Sequence, residues 1–377
     1  IRGRHIVNTD GIFMPEGEYF MPKIVLTGGG TAGHVTPNIA LLPYLRKRGY
    51  EIHYIGTREG LEYELITAQP DITYHVISAG KLRRYLDIKN LTDPFKVIKG
   101  YRQSVNILRE IAPDVLFSKG GFVSVPVVKA AGKLKIPAVI HESDISPGLA
   151  TRLCAPSAEK ICVTFKEAGT KFDGKKVVVT GSPIRKELFS GDGEAARRAL
   201  NFPRRPTLLV MGGSSGSVKV NQALREVLEK LLEEFNVIHL CGKGKAEHSY
   251  DGLRGYVQKE YMDKQLPDVF ALADMVISRA GSNSINEFLA LKKPMLLIPL
   301  DAGSRGDQVQ NAQAFERDGY ALVLPEAQLT GAALERAISK LYAEKDRYIE
   351  NMKNAPAARG AENVMRVIED AVLRKNS

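Results

Sequence analysis

The sequence predicts an α/β protein made of two parallel-sheet domains, and three observations support that prediction. From residue 21 onward, short apolar runs alternate with amphipathic stretches of helical length, which is typical of parallel strands joined by crossover helices. The first run, Lys23–Thr27, leads through a glycine-rich turn into a helix, and the same arrangement begins again at Thr207–Met211. The chain has 377 residues, which is enough for two domains that each bury a core.

The first domain is predicted over residues 21–184. Its strands are expected at 23–27, 51–57, 72–78, 114–118, 137–141, 159–163 and 177–180, and its main helices at 36–48, 95–111 and 124–134. Residues 1–20 lack the apolar centre of a secretion signal. They are interpreted as an irregular leader, and a non-native, vector-derived origin is left open.

The second domain is predicted over residues 185–356, with a small polar segment at 190–193 near its start. Its strands are expected at 207–211, 236–241, 274–278, 294–298 and 320–324, and amphipathic helices at 218–233, 330–345 and 358–374. Two units of this kind predict a cleft between them that closes on a ligand.

Composition narrows the classes of partner. An apolar content of 44% and a charged content of 25% are ordinary globular values. The net charge of +10 favours an anionic partner, which is a nucleotide, a phospholipid surface or a nucleic acid. Nucleic acid is the weakest of these, because no nucleic-acid-binding motif accompanies the charge. Three widely spaced cysteines form no metal-ligand pattern and indicate a reducing cytoplasm, and no apolar run reaches the length of a membrane span.

The most informative stretch is the first glycine turn, residues 28–37, which contains Gly28, Gly29, Gly30, Gly33 and His34. A strand, a glycine turn and a helix N-terminus in this order bring backbone N–H groups together around an anion or a polar ligand. A lone histidine is more often structural than catalytic. His34 stands at the tip of a ligand-facing turn, however, and this position favours a catalytic role.

Three stretches of the second domain suggest a sugar nucleotide. Residues 212–217 predict a diphosphate cradle, or alternatively a simple helix N-cap. In residues 277–287 the helix is expected to begin near Asn283, and Glu287 is placed to accept from a ribose diol, unless it is a surface carboxylate favoured by the helix dipole. In residues 301–311, Asp307 and Gln308 suit sugar hydroxyls, and a solvated loop with Asp307 as a cap is the alternative.

The sequence predicts no obligatory cofactor, although stimulation by a divalent cation is left open. It contains no Asp-x-Asp pair placed to hold a metal–diphosphate complex. Helix N-termini and Arg185 are therefore expected to stabilise a departing diphosphate.

Two segments interleave basic with apolar residues, at 81–86 and 95–102. This combination suits an anionic membrane surface, whereas a helix that covers the sheet would explain Val97, Ile98 and Tyr101 equally well. The residues chosen as the membrane patch are Arg83, Arg84, Tyr85, Phe95 and Lys99.

With these motifs in view, the chain resembles the bacterial N-acetylglucosaminyltransferases of the GT-B type that make lipid II for peptidoglycan on the inner leaflet. The resemblance runs from about Lys23 to the C-terminal helix. It rests on residues 27–37, 118–126, 141–144, 211–214 and 278–281 together with Glu287. It implies two Rossmann-like domains facing across a cleft, with a last helix at about 357–377 packed back on the first domain.

The resemblance also implies partners and a location. The donor would be UDP-N-acetylglucosamine, bound mainly by the second domain, and the acceptor would be lipid I, bound by the first. An anionic membrane surface would be a further partner and nucleic acid would not. The protein would be peripheral, on the cytoplasmic face of the cell membrane.

Residue roles follow from the same resemblance. His34 would be the general base or would orient the acceptor, and Arg185 and Ser214 would contact the diphosphate of the donor. Glu287 would bind the ribose, Gln308 the sugar hydroxyls and the Val257 amide the uracil. The other residues assigned to UDP-N-acetylglucosamine are Thr31, Gly33, Asp144, Ser282, Asn283 and Ser284, and those assigned to the acceptor diphosphate are Gly29, Gly30 and Thr31.

Two positions depart from the family pattern. Asp144 stands where many members carry asparagine, which puts its sugar contact in question. Ala32 replaces a common glycine, and it preserves the turn only if its φ is negative.

The reaction implied is the inverting transfer of N-acetylglucosamine to the C4 hydroxyl of the muramoyl sugar. A UDP-sugar:diacylglycerol glycosyltransferase of the same fold is the nearest alternative. An NAD-dependent dehydrogenase is disfavoured, because residues 55–58 lack the acidic residue expected after the second strand. A non-catalytic sugar-nucleotide-binding subunit remains a third reading, and it would not need His34.

Overall fold

The computed structural model describes residues 7–8, 11–13, 19–80, 89–213, 216–262, 264–301, 306–353, 355 and 359–375, without side chains before residue 21 or at 89–94. The chain divides into two compact units. The first contains Ile1–Arg185 and Arg359–Ser377, and the second contains Lys186–Ala358.

The leader is not wholly irregular, so that expectation is corrected. It contains three short antiparallel strands, β1 (Val7–Asn8), β2 (Gly11–Phe13) and β3 (Tyr19–Phe20). Runs of two or three residues are too short for sequence periodicity to reveal.

The first unit is built on a seven-stranded parallel sheet. Its strands are β4 (Lys23–Thr27), β5 (Glu51–Gly56), β6 (Ile72–Val76), β7 (Val115–Ser118), β8 (Ala138–Glu142), β9 (Lys160–Val163) and β10 (Val177–Val179). Its helices are α1 (Thr36–Lys47), α2 (Leu61–Thr67), α3 (Lys89–Ile111), α4 (Ser124–Lys133), α5 (Leu149–Cys154) and α6 (Lys166–Gly169). The strand order is β10-β9-β8-β7-β4-β5-β6, so the winding direction reverses between β4 and β7. Ligands bind in parallel sheets at such a switch point, beyond the carboxyl ends of the strands.

The second unit repeats the plan with six parallel strands. They are β11 (Thr207–Met211), β12 (Asn236–Leu240), β13 (Tyr256–Lys259), β14 (Met275–Ser278), β15 (Met295–Leu297) and β16 (Ala321–Val323). Its helices are α7 (Gly193–Ala199), α8 (Val218–Glu226), α9 (Leu228–Glu234), α10 (Leu266–Leu272), α11 (Ser282–Ala290), α12 (Asp307–Arg317), α13 (Gly331–Ala343) and α14 (Lys345–Lys353). The order β13-β12-β11-β14-β15-β16 places the reversal between β11 and β14.

The helix predicted over 218–233 is two helices, which is a correction. Val227 has a φ of −121° and a ψ of 8°, outside the helical region, so α8 ends and α9 begins there. The predicted strands are present, each with bounds within two residues of those expected.

The last helix, α15 (Gly360–Lys375), belongs to the first unit. It packs on α1, β7, β8 and β9, and it buries Val364, Met365, Ile368 and Ala371 among others. A Cβ atom at Gly360 would lie 2.0 Å from the Ser182 carbonyl oxygen, so glycine permits the close approach at which this helix begins.

Candidate functional site

The first glycine turn places His34 at the switch point of the first unit. Residues 32–34 form a single 3₁₀ turn before α1, and Ala32 is not among the non-glycine residues with positive φ. The φ of Ala32 is therefore negative, so alanine preserves the turn at this position. His34 is half-buried, and its Nδ1 lies 3.0 Å from Thr31 Oγ1. In the tautomer whose Nδ1–H donates to Thr31, Nε2 carries the lone pair that a base needs.

The loop after β7 lies beside this histidine. A Cβ atom at Gly120 would lie 3.6 Å from His34 Cδ2 and 3.9 Å from Nε2, and the Gly29 amide donates to the Gly120 carbonyl at 3.3 Å. Two motifs that are far apart in sequence therefore meet at the carboxyl ends of the adjacent strands β4 and β7.

The loop after β8 is organised by Glu142 and His141. The Glu142 carboxylate accepts from the amides of Asp144 and Gly148 at 3.0 Å each and from the Thr151 hydroxyl at 2.6 Å. His141 is buried, and its Nε2 lies 2.9 Å from the Gly181 carbonyl oxygen. Burial, with the positive charge of Lys119, lowers the pKa of His141 to about 3, so this ring is neutral and holds two loops together.

Sequence reasoning missed Lys119. Its side chain is only 2% exposed, and Nζ donates to Ser143 Oγ at 3.0 Å. Burial lowers its pKa, while the carboxylates of Glu142 and Asp144 act in the opposite direction. Asp144 thus acts on the charge of a buried ammonium from the neighbouring loop. A lysine directly before two glycines at a strand end was the available signal.

The remaining predicted residues of the first unit lie in loops or at the unit boundary. Thr31 is exposed, Gly33 is half-buried, and Arg185 is half-buried as the last residue before the second unit.

In the second unit, the loop after β11 requires glycine at position 216. Gly216 has a φ of +69°, and a Cβ atom there would lie 2.0 Å from the Cys241 carbonyl oxygen. Ser217 caps α8 by accepting from the Val220 amide, which agrees with the N-cap alternative for this residue. Ser214 lies outside the described residues, so its predicted diphosphate contact stays a prediction.

The loop after β14 leads directly into α11. This helix begins at Ser282, one residue before the predicted start, so Ser282, Asn283 and Ser284 form its first turn and Glu287 follows half-buried in the next. The N–H groups of a first turn have no partner within the helix, which makes the site suited to a phosphate.

A buried ion pair between Arg279 and Glu326 holds together the loops that follow the strands of the second unit. Sequence reasoning did not predict this pair. Arg279 Nη2 donates to Ser217 Oγ at 2.7 Å and to Glu326, and Nη1 donates to the Ile298 carbonyl at 3.0 Å. Burial acts to raise the pKa of Glu326, but Arg279 and Lys219 outweigh it and hold that pKa below its usual value. The pair thereby ties together the chain after β11, β14 and β15. Its members are 47 residues apart, so no local pattern reveals it.

Gln308 and Val257 lie on separate elements of the second unit. Gln308 is in the first turn of α12, and its Oε1 accepts from the Leu300 amide at 3.0 Å. Val257 lies on the edge strand β13, in register with Ile238. Their contacts with sugar and uracil stay predictions.

The described part of the membrane patch is exposed. Phe95 is 75% exposed, and Lys99 lies one turn along the same helix with its side chain also exposed. Ile98 is 51% exposed, whereas Val97 and Tyr101, which the alternative of a covering helix also explains, are half-buried. Arg83, Arg84 and Tyr85 lie outside the described residues. Among the described helices, none is both long enough and apolar enough to cross a membrane.

Comparisons with known proteins agree with this architecture. The model of the glycosyltransferase family 28 N-terminal domain matches residues 24–163, and that of the family 28 C-terminal domain matches residues 207–368. A UDP-N-acetylglucosamine--N-acetylmuramyl-(pentapeptide) pyrophosphoryl-undecaprenol N-acetylglucosamine transferase of Lachnoclostridium phytofermentans is 54% identical over 94% of this chain and 100% of its own length. A transferase of the same name from Geobacillus kaustophilus is 51% identical over 92% of this chain and 98% of its own length. The crystal structure of Acinetobacter baumannii MurG superposes with a TM-score of 0.72 over 93% of this chain and 99% of that chain; at 22% identity this likeness supports the fold alone.

Proposed function

The chain belongs to glycosyltransferase family 28, and we propose on that basis that it transfers N-acetylglucosamine from UDP-N-acetylglucosamine to the C4 hydroxyl of the muramoyl sugar of lipid I. It is a hexosyltransferase, and its product is lipid II for peptidoglycan. The observation that carries the proposal is identity of 54% along the whole length of a relative named for this donor and this undecaprenyl-linked acceptor.

The geometry of the first unit supports a base-assisted step. The attacking hydroxyl must lose a proton as it reaches C1 of the donor sugar, and the configuration at C1 inverts. A histidine with an ordinary pKa of roughly 6.5 is suited to accept that proton at neutral pH. The Thr31 hydroxyl lies where it can accept from Nδ1–H of His34, and in that tautomer Nε2 carries the lone pair that takes the proton.

The second unit supplies the groups proposed for the donor. The first turn of α11, with Ser282, Asn283 and Ser284, offers N–H groups to the diphosphate, and Glu287 one turn further would accept from the ribose diol. Gln308 would bind sugar hydroxyls, the Val257 amide would bind the uracil, and Ser214 would add a phosphate contact.

Charge develops on the departing UDP, and we assign its stabilisation to the dipole of α11 and to Arg185. No obligatory metal is part of the proposal. Activity that persists in EDTA, with at most stimulation by added Mg²⁺, is the expected result, and complete loss in EDTA that Mg²⁺ restores would contradict it.

We further propose that the protein works as a peripheral protein on the cytoplasmic face of the membrane and has no nucleic-acid partner. The exposed Phe95, Ile98 and Lys99 on one helix support contact with an anionic lipid surface. The lipid-linked acceptor named for the relatives is consistent with this location.

The test is a choice of acceptors. Radiolabelled UDP-N-acetylglucosamine is offered with lipid I in one reaction and with diacylglycerol in a parallel reaction. Label in lipid II alone is expected. Transfer to diacylglycerol and none to lipid I would assign the chain to the alternative glycolipid activity.

A further inference from the structure

A buried carboxylate outside the first glycine turn holds that turn from within the unit. Glu62, on α2, is fully buried. Its oxygens accept from the Gly30 amide at 3.1 Å, from the Thr57 amide at 3.3 Å and from the Thr57 hydroxyl at 2.5 Å. These contacts join the loop after β4 to the loop after β5. The carboxylate thus occupies the kind of position that a bound phosphate takes in a nucleotide-binding turn.

Two glycines leave the space that this carboxylate fills. A Cβ atom at Gly29 would lie 2.5 Å from Glu62 Cδ, and a Cβ atom at Gly60 would lie 2.2 Å from the same atom. Such distances are far inside van der Waals contact, so a side chain at either position would displace the carboxylate. Part of the glycine content around this turn therefore accommodates an internal anion.

Other buried groups hold the turn's backbone as far as the histidine. The Tyr54 hydroxyl donates to the Gly28 carbonyl at 2.6 Å. The Asn38 amide donates to the carbonyls of Thr27 at 3.3 Å and His34 at 3.4 Å. Burial raises the pKa of Tyr54, and the negative charge of Glu62 acts in the same direction, so the phenol remains a donor. These bonds hold Gly28 and His34, which lie on either side of the Gly30 amide that donates to Glu62, so both ends of the turn and its centre are fixed from within the unit.

We infer that Glu62 is a positioning residue for His34, and that the amides of Gly29 and Gly30 do not bind the acceptor's diphosphate. The Gly29 amide donates to Gly120 and the Gly30 amide donates to Glu62, so both are engaged within the unit. A phosphate at this turn would also meet the negative charge of Glu62 at short range, which opposes its binding. The inference rests on the proposed function and reassigns the turn from binding the acceptor to orienting the base.

Glu62→Gln tests this most sharply, because it keeps the side-chain shape while it turns one acceptor oxygen into a donor. We expect kcat on lipid I to fall by about 10²-fold, the scale of a catalytic group displaced by about 1 Å, with KM for UDP-N-acetylglucosamine unchanged. In Glu62→Ala, added formate should restore part of kcat by filling the vacated site. Glu64→Ala is the matched control, because Glu64 is an exposed carboxylate on the same helix.

The opposite result is equally specific. If the turn binds the acceptor's diphosphate, removal of the Glu62 charge will lower the KM for lipid I at maintained kcat and make inorganic pyrophosphate a stronger competitor of lipid I. Either change overturns the inference.

Hydrogen exchange on the unliganded protein gives a readout that is independent of the acceptor. Peptides covering residues 27–34 should exchange faster in Glu62→Gln than in wild type or Glu64→Ala. Unchanged exchange overturns the inference even where the proposed function holds. If wild type is inactive on lipid I but residues 27–34 still exchange faster in Glu62→Gln than in wild type, the proposed function alone is rejected. If Glu62→Gln does not fold, the same measurements on Glu62→Asp decide.

Discussion

The buried Lys119 makes a quantitative prediction about Asp144. Lys119 Nζ donates to Ser143 Oγ, and the carboxylates of Glu142 and Asp144 offset part of the cost of burying its charge. Glu142 and Asp144 act on this charge electrostatically, and the cost of breaking a contacting buried ion pair, about 3–5 kcal/mol, is an upper limit for removal of either one. Because Asp144 is half-buried and Glu142 remains in place, we expect Asp144→Asn to lower the free energy of unfolding by less, about 1–3 kcal/mol.

A double-mutant cycle measures this coupling. Once Lys119 is replaced by methionine, the charge of Asp144 no longer stabilises an ammonium, so Asp144→Asn should cost less in that background. The double mutant Lys119→Met with Asp144→Asn should therefore be more stable than the sum of the two single losses predicts, by a coupling energy of about 1–3 kcal/mol. The chain has no tryptophan, so urea unfolding is followed by circular dichroism, and hydrogen exchange of residues 115–145 assigns the transition to the first unit. Lys133→Met, at an exposed lysine, is the control and should change stability by less than about 0.5 kcal/mol. Additive losses in the double mutant would refute the electrostatic coupling between Lys119 and Asp144.

Three further predictions concern binding, membranes and acid. Glu287→Ala should weaken UDP binding by roughly ten- to a hundredfold, because a charged hydrogen bond is lost; calorimetric titration of a folded variant with unchanged affinity would exclude the ribose contact. Replacing the three basic residues of the membrane patch by glutamine should abolish co-sedimentation with anionic vesicles at low salt, because each contributes about 1 kcal/mol, while UDP binding should persist. A triple mutant that sediments as well as the parent would show that the patch does not bind the membrane. Burial is the main cause that lowers the pKa of His141 and of His239 to about 3, so both stay neutral in the folded state while the unfolded chain takes up protons below about 6.5. Stability should therefore be lost as pH falls from about 6.5 toward 3, by up to about 1.4 kcal/mol per pH unit for each histidine, and urea midpoints that stay flat from pH 6.5 to 4.5 would contradict this.

Most of the fold could be predicted because parallel strands that are buried on both faces form continuous apolar runs. Strands such as β4 and β11 are also followed at once by glycine turns, which mark their ends. Elements without that signal were harder to predict. The edge strand β13 has four residues and is only partly buried, so it shows no apolar run. The break at Val227 interrupts an amphipathic pattern that looks continuous in sequence.

The candidate site likewise contains residues that the sequence indicated and residues that it did not. The placement of His34 and the N-terminus of α11 follow from local order along the chain, so the motifs indicated them directly. Glu62 and Lys119 act through contacts between loops that only the parallel sheet brings together. The Arg279–Glu326 pair is of the same kind. Charge, spacing and periodicity carry no information about which buried carboxylate meets which amide or cation.

The central claim is that His34 accepts the proton of the attacking hydroxyl, and a single-turnover measurement tests it most directly. Enzyme in excess is mixed with saturating lipid I and radiolabelled UDP-N-acetylglucosamine, and the rate of label transfer is compared between wild type and His34→Ala. The account predicts a rate lower by roughly 10²–10⁴-fold, the usual range for a lost general base, with donor affinity nearly unchanged. A His34→Ala protein that transfers the sugar at close to the wild-type rate would contradict it.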